Sequence, residues 1–262
     1  MKKLRPRPVP LRQQGFTLVE LAVVMLLIGL MAGIVVQARS YIRKNQITTT
    51  ITQVQTYKEA MQVYKDSYGF IPGDSPAATN ILPNCTSATF CYNGNGDGIV
   101  GESSSSLIGS QAGVTSMPQA ETSMFWKHLA KADLITGIEP DATPVVSTQA
   151  GRFGQTHPSA PVGGGFTVHY FTFNTGITDY LKTALWMRLT NDFTGSSAYS
   201  VLTPHDAAVI DRKIDDGNPF GGNVQSVGNG AFTSNTCGVS SSKSYVESNS
   251  TKECAMYFRM DK

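Results

Sequence analysis

The amino-acid sequence predicts an α+β fold: a long N-terminal helix packed on a globular head that holds a small antiparallel β-sheet and short helices. Three observations support this. Residues 16–68 carry a continuous helix-compatible pattern, two later segments have the composition of strands, and the elements beyond residue 69 follow no βαβ rhythm. The predicted organisation is a basic leader at 1–15, a helix at 16–68 and a head at 69–262.

The leader differs in charge from the rest of the chain. The 262 residues include 21 Lys and Arg against 19 Asp and Glu. Five basic residues precede Gly15 with no acidic residue among them: Lys2, Lys3, Arg5, Arg7 and Arg12. The remainder is slightly acidic, so no nucleic-acid partner is indicated. A charged fraction of only 15% suits a loop-rich extracytoplasmic domain better than a cytosolic enzyme.

An apolar run follows the leader. Residues 21–36 carry no charge, and 16–36 has about 20 residues, which matches a bilayer core of about 30 Å. We predict a membrane span at 16–36, with the leader inside the cytoplasm and the head outside it. Glu20 lies within this run, where an unpaired carboxylate costs about 3 kcal/mol or more.

The stretch "GFTLVE", Gly15 to Glu20, suggests a role for this carboxylate. It resembles the processing motif of type IV pilins and type II secretion pseudopilins. The resemblance implies that prepilin peptidase cuts between Gly15 and Phe16 and that Phe16 is then N-methylated. Glu20 becomes the fifth residue of the mature chain, and its carboxylate could pair with the Phe16 amine of an adjacent subunit. The alternative is that Glu20 pairs with the amine of its own chain or extends to the lipid headgroups.

The head carries further resemblance. The stretches "YGFIPGD", "GNGDG", "FWKHLAKADLITG" and "IDDGNPFGG" are similar to the heads of bacterial pilin-like proteins. The resemblance implies a structural subunit of a type IV pilus or type II secretion pseudopilus, which assembles with other such subunits through the N-terminal helix. It also implies residence in the bacterial inner membrane, with the head in the periplasm, before assembly into the filament. The large head favours a minor subunit.

The elements are read from local patterns. Apolar residues at helical spacing continue the first helix to Tyr68, and Gly69 and Pro72 end it. Short helices are predicted at about 122–132, at about 178–189, and after Thr203, which is followed by Pro204 at the first helical position. Strands are predicted at 165–174 and 254–260.

The four cysteines allow three disulfide connectivities, and free buried thiols are the alternative. Outside the cytoplasm two disulfides are expected. We favour the pairs Cys85–Cys91 and Cys237–Cys254, because each closes a short polar loop.

The stretch "NGNGDG" is a candidate site for structural calcium, and no other cofactor is indicated. Asn93, Asn95 and Asp97 stand at alternate positions before Gly98, as in the first half of an EF-hand loop, and Glu102 could complete the site. Asp74 is a second residue that could complete it. The favoured alternative is a turn held by hydrogen bonds from side chains to the backbone. A cluster at Asp211, Asp215 and Asp216 is read as a solvated helix end.

Enzyme activity is not expected, since the sequence contains no G-x-S-x-G elbow, P-loop or H-E-x-x-H motif. The four histidines are scattered without metal-ligand spacing, and Trp126 and Trp186 are expected in the core. A filament-tip adhesin or DNA-uptake subunit is the alternative function. A secreted calcium-dependent hydrolase, with a signal peptide cut after Ala38, is a weaker one.

Overall fold

The computed structural model describes residues 16–101, 121–142, 153–171, 183–191, 200–228 and 235–261, apart from the side chains of 33–37 and 39. The chain divides into two compact units, Met1–Lys44 and Asn45–Lys262. Helix α1 comprises Leu18–Tyr68, so the predicted N-terminal helix is confirmed nearly to the residue. The leader, with Gly15, lies outside the described residues.

In the first unit, α1 presents apolar side chains to the surroundings. Every described residue from Phe16 to Met31 is exposed, and Leu18 is 88% exposed. Within the described part of the chain, no helix is both long enough and apolar enough to span a membrane. The span expected at 16–36 stays a prediction.

The second unit is built on a four-stranded antiparallel sheet with strand order β1-β2-β6-β3. Its strands are β1 (Gly165–Phe171), β2 (Ala184–Thr190), β3 (Val224–Gly228) and β6 (Cys254–Arg259). A small hairpin pairs β4 (Gly238–Val239) with β5 (Ser244–Tyr245). The remaining helices are α2 (Ala78–Ile81), α3 (Glu121–Lys131) and α4 (Pro204–Ile214), with a 3-10 turn at Ser87–Thr89.

In the second unit, one hydrophobic core joins α1 to one face of the sheet. Apolar residues recur along α1 at helical spacing, as the sequence predicted, and their side chains are buried: Ile47, Ile51, Val54, Tyr57, Met61 and Tyr64. The ring of Tyr57 meets Trp126 of α3 and Phe166 of β1 edge-on, at centroid distances of 5.2 and 5.4 Å. Aromatic pairs of this geometry contribute about 0.5–1.5 kcal/mol beyond the area that they bury.

The helix predicted at about 178–189 is wrong over the described residues 183–191, because Ala184–Thr190 forms β2. All seven residues of β2 are buried, since the strand lies between β1 and β6 and packs on both faces. Its apolar sequence therefore lacks the alternation that marks a half-exposed strand. Strand β3 was not predicted at all. The predicted strands at 165–174 and 254–260 correspond to β1 and β6.

Both predicted disulfides are present. Cys85–Cys91 closes the loop around the 3-10 turn, and Cys237–Cys254 joins the start of the β4–β5 hairpin to the first residue of β6. All four cysteines are buried. Trp126 and Trp186 are fully buried, as expected of core residues.

Candidate functional site

The first candidate site is the beginning of α1. The N–H of Glu20 donates to Oγ1 of Thr17 at 3.2 Å, and the N–H of Leu21 donates to the Thr17 carbonyl at 3.2 Å. Thr17 and Glu20 stand at the spacing of a capping box, of which this side-chain bond is one half. Glu20 therefore lies in the first turn, where the helix dipole stabilises a negative charge.

The Glu20 carboxylate accepts no hydrogen bond from the residues that the structure describes. Its closest neighbours in sequence are exposed apolar side chains, with Phe16 83% and Val19 72% exposed. Any surface that covered this part of the helix would also remove water from the carboxylate. A charge removed from water requires a cationic or hydrogen-bonding partner. The first turn thus combines an exposed apolar surface with one acidic side chain whose carboxylate has no protein partner among the described residues.

The second candidate site is the loop of residues 92–101, which is held by three carboxylates. Asp74 accepts the N–H groups of Gly96 and Gly98, at 2.7 and 2.9 Å. Glu121, at the start of α3, accepts the N–H groups of Asn95 and Gly101, at 2.8 and 2.9 Å. Hydrogen bonds from backbone N–H groups to carboxylates are stronger than those between neutral groups. These two acidic side chains therefore fix the conformation of the loop.

The third carboxylate, Asp97, belongs to the loop itself. Its Oδ1 accepts the N–H of Ile99 at 2.8 Å and its Oδ2 accepts Nδ2 of Asn95 at 2.9 Å. Each of Asp74, Asp97 and Glu121 has an oxygen within 4.8 Å of the others. Glycines make this close approach feasible, since Gly98 has φ +84° and a Cβ on Gly94 would collide with the Asp74 backbone.

His128 of α3 ties the same loop to the turn at 72–74. Its Nδ1 accepts the N–H of Gly73 at 2.9 Å, and its Nε2 lies 2.9 Å from the Tyr92 carbonyl. Since the first partner must donate and the second must accept, the proton sits on Nε2. Burial lowers the pKa of His128 to about 4, which keeps the ring neutral. Three of the stretches singled out in the sequence, "YGFIPGD", "GNGDG" and "FWKHLAKADLITG", are thus joined in one hydrogen-bonded cluster.

The predicted calcium ligands are only partly brought together. Asn93 Oδ1 accepts the N–H of Thr79, and Asn95 Oδ1 accepts the N–H of Asp97. Glu102 lies outside the described residues. Sequence reasoning noted Asp74 but missed Glu121. The hydrogen bonds that hold the turn are present, as the favoured interpretation expects, and the calcium site stays a prediction.

This cluster has the ligand atoms for a hard divalent cation such as calcium, which binds carboxylate oxygens. Burial raises the pKa of Glu121 to about 7, against the opposing effect of its two backbone hydrogen bonds. Burial also raises the pKa of Asp74. However, all six carboxylate oxygens already accept a hydrogen bond, so an ion would have to share them. The role that the geometry shows for these carboxylates is to hold the loop of residues 92–101 in place.

The acidic cluster at the end of α4 is only partly the solvated helix end that the sequence suggested, because Asp216 is exposed whereas Asp211 is fully buried. Its carboxylate accepts the Tyr245 hydroxyl at 2.7 Å and the N–H of Gly217 at 3.2 Å. Burial raises the pKa of Asp211 to about 7. Asp215 accepts the N–H groups of Asn223 and Val224. These residues connect α4 to β3 and β5 and are structural.

The structure has an α+β architecture led by a long helix, with an apolar start and an acidic residue in its first turn, which is the arrangement that the resemblance to pilin-like proteins implies. Comparison with known proteins agrees. Residues 10–36 match the family described as the prokaryotic N-terminal methylation motif. The expected resemblance to type IV pilins and type II secretion pseudopilins is confirmed.

One curated relative is the type II secretion system protein H of Pectobacterium carotovorum subsp. carotovorum. It is 33% identical over 85 residues, which cover 28% of this chain and 45% of the relative. The matched region therefore spans less than half the length of that relative. No solved structure matches the chain.

Proposed function

We propose that the chain is a structural, non-catalytic subunit of a type IV pilus or a type II secretion pseudopilus. The observation that carries the proposal is the beginning of α1, where an unpaired Glu20 carboxylate stands among exposed apolar side chains. This segment lies within the matched methylation motif. A helix surface of this kind requires a nonpolar environment and a partner for its charge.

Processing would supply that partner. In our proposal, prepilin peptidase cleaves between Gly15 and Phe16, and the cut leaves a cationic amine on Phe16, which is then N-methylated. Before assembly the segment 16–36 resides in the inner membrane. On assembly the apolar surface of α1 packs against other pilin or pseudopilin subunits, and Glu20 pairs with the Phe16 amine of a neighbour. The pairing sets the axial position of each subunit.

The similarity to a type II secretion system protein H supports the pseudopilus over the pilus. A minor subunit is proposed because a unit of more than 200 residues follows the N-terminal segment. A large head favours a subunit present at low copy number over one that repeats along a shaft.

The proposal is tested by replacing Glu20. In cells that assemble the filament, Glu20→Ala should still be cleaved, but its incorporation should fall about tenfold or more, because a desolvated charge-assisted pair contributes about 1.5–3 kcal/mol. Quantitative immunoblotting of sheared filaments gives the incorporated fraction. Glu20→Gln should be equally defective, because it keeps the shape and removes the charge.

Glu59→Gln is the matched control on the same helix, since Glu59 is exposed and makes no hydrogen bond within the described residues. It should incorporate like the wild type. Normal incorporation of either Glu20 variant would refute the pairing mechanism.

A further inference from the structure

A charged cavity lies at one end of the sheet in the second unit. It is partly open to solvent and has a volume of about 820 Å³, within the range of roughly 300–1,000 Å³ found for small-molecule sites. Its walls come from α1, from the last residue of α4, from Asn223 just before β3 and from the end of β6. Backbone hydrogen bonds fix the β6 wall: Arg259 donates to Asn223 at 2.8 Å, and Met260 donates to Leu185 at 2.9 Å.

The lining residues differ in exposure. Lys58, Arg259, Ile214 and Met260 are half-buried or buried, so the less exposed part of the lining is cationic and aliphatic. The acidic side chains of the lining, Glu59 and Asp261, are exposed, as are Gln62 and Asn223. A site with an apolar floor and a few polar groups that converge on it is typical of small-ligand recognition.

Both cations, Lys58 and Arg259, have N–H groups without a hydrogen-bond partner among the described residues. Lys58 makes no hydrogen bond or ion pair within the described residues. Burial lowers the pKa of Lys58, and the nearby charge of Asp215 only partly opposes this effect. Arg259 uses Nε to donate to Asp261 Oδ1 at 2.9 Å, which leaves the outer edge of its guanidinium group without a partner among the described residues.

We propose that this cavity binds a small aliphatic carboxylate. The free edge of Arg259 presents two parallel N–H donors, a geometry that matches a carboxylate. Lys58 supplies a second positive charge that is already removed from much of its solvent. Ile214 and Met260 provide apolar contact for a short hydrocarbon chain. This site is separate from the first turn of α1 and does not depend on filament assembly.

The test uses the full chain in lipid nanodiscs with [13C-methyl]-methionine, because the Met260 side chain lines the cavity. Valerate is the probe, and valeramide is its uncharged counterpart. Valerate should shift the Met260 methyl resonance in a saturable manner, and valeramide should not. The core methionines Met187 and Met256 should stay unchanged and report that the fold is intact.

Lys58→Gln and Arg259→Gln should each weaken valerate binding about tenfold or more, as expected when a charge-assisted hydrogen bond is lost. Lys65→Gln, an exposed lysine on the same helix, is the matched control and should bind like the wild type. The proposal is overturned if valerate causes no shift, if valeramide binds equally well, or if both cavity variants retain wild-type affinity.

Discussion

At the scale of single residues, Glu121 shows what the sequence could not reveal. The sequence placed Asn95, Asp97 and Asp74 near one turn, because they stand in recognisable Gly-rich stretches. Glu121 lies 26 residues beyond Asn95, whose N–H it accepts, at the start of a helix. Only the packing of α3 brings it to the loop, so local spacing contains no signal for this contact. The same holds for Asp211, whose carboxylate accepts the hydroxyl of Tyr245 from a distant hairpin.

The position of Glu121 predicts a dependence of stability on pH. The pKa of Glu121 is about 7 in the folded chain, against 4.5 for an unperturbed glutamate, so folding favours the protonated form. This contribution is fully present below about pH 4.5 and is lost as the pH rises through about 7. In calcium-free buffer, the fall in unfolding free energy between about pH 5 and pH 8 should be smaller in Glu121→Gln, by on the order of 1–2 kcal/mol.

Urea titration followed by tryptophan fluorescence measures this difference, since both tryptophans are fully buried. Glu139→Gln replaces an exposed glutamate and should keep the wild-type pH profile. A Glu121→Gln profile that is parallel to the wild type would show that this carboxyl titrates normally. Asp211 shares the same direction of shift, so the variant should retain part of the pH dependence.

At the scale of secondary structure, helices with local start and stop signals were predictable and the central strands were not. Helix α4 begins where Thr203 and Pro204 indicate, and α1 ends at Tyr68 before Gly69. The prediction for β2 was wrong because the Ala, Leu and Met residues of this strand favour a helix when taken alone. Pairing with β1 and β6 overrides that local preference, which is typical of buried strands.

The cap of α4 gives a prediction at this scale. Oγ1 of Thr203 accepts the N–H of Asp206 at 3.2 Å and donates to Oδ2 of the same residue at 2.9 Å. Thr203→Ala should lower the unfolding free energy by about 1 kcal/mol, because the first turn loses its side-chain acceptor. Equilibrium urea denaturation at neutral pH measures the change.

Thr203→Ser is the matched variant, because it keeps the hydroxyl and removes only a methyl group. It should lie closer to the wild type than to the alanine variant. Equal destabilisation by both substitutions would assign the effect to the methyl group instead of the cap.

At the scale of the whole molecule, the α+β class followed from the sequence, but the order of the strands did not. The N-terminal helix is predictable because its pattern is continuous over 51 residues. The sheet order β1-β2-β6-β3 inserts the last strand of the chain between two earlier ones. Such pairings depend on contacts between residues far apart in sequence, and no local pattern encodes them.

In the proposed function, the chain is a precursor that becomes functional only after a cut before α1. Exposed apolar residues from Phe16 to Met31 and an unpaired Glu20 are consistent with a segment that completes its environment only on assembly. The matched methylation motif covers this segment and residues 10–15 before it. The identity of the mature N-terminus therefore bears directly on the proposed function.

The most direct measurement is mass spectrometry of the N-terminal peptide, with the chain produced in bacteria that contain a prepilin peptidase. The wild type should begin at an N-methylated Phe16, and Gly15→Ala should keep its leader. A wild-type chain that begins at Arg39 or keeps the leader would contradict the account, as would a Gly15→Ala chain that still begins at Phe16.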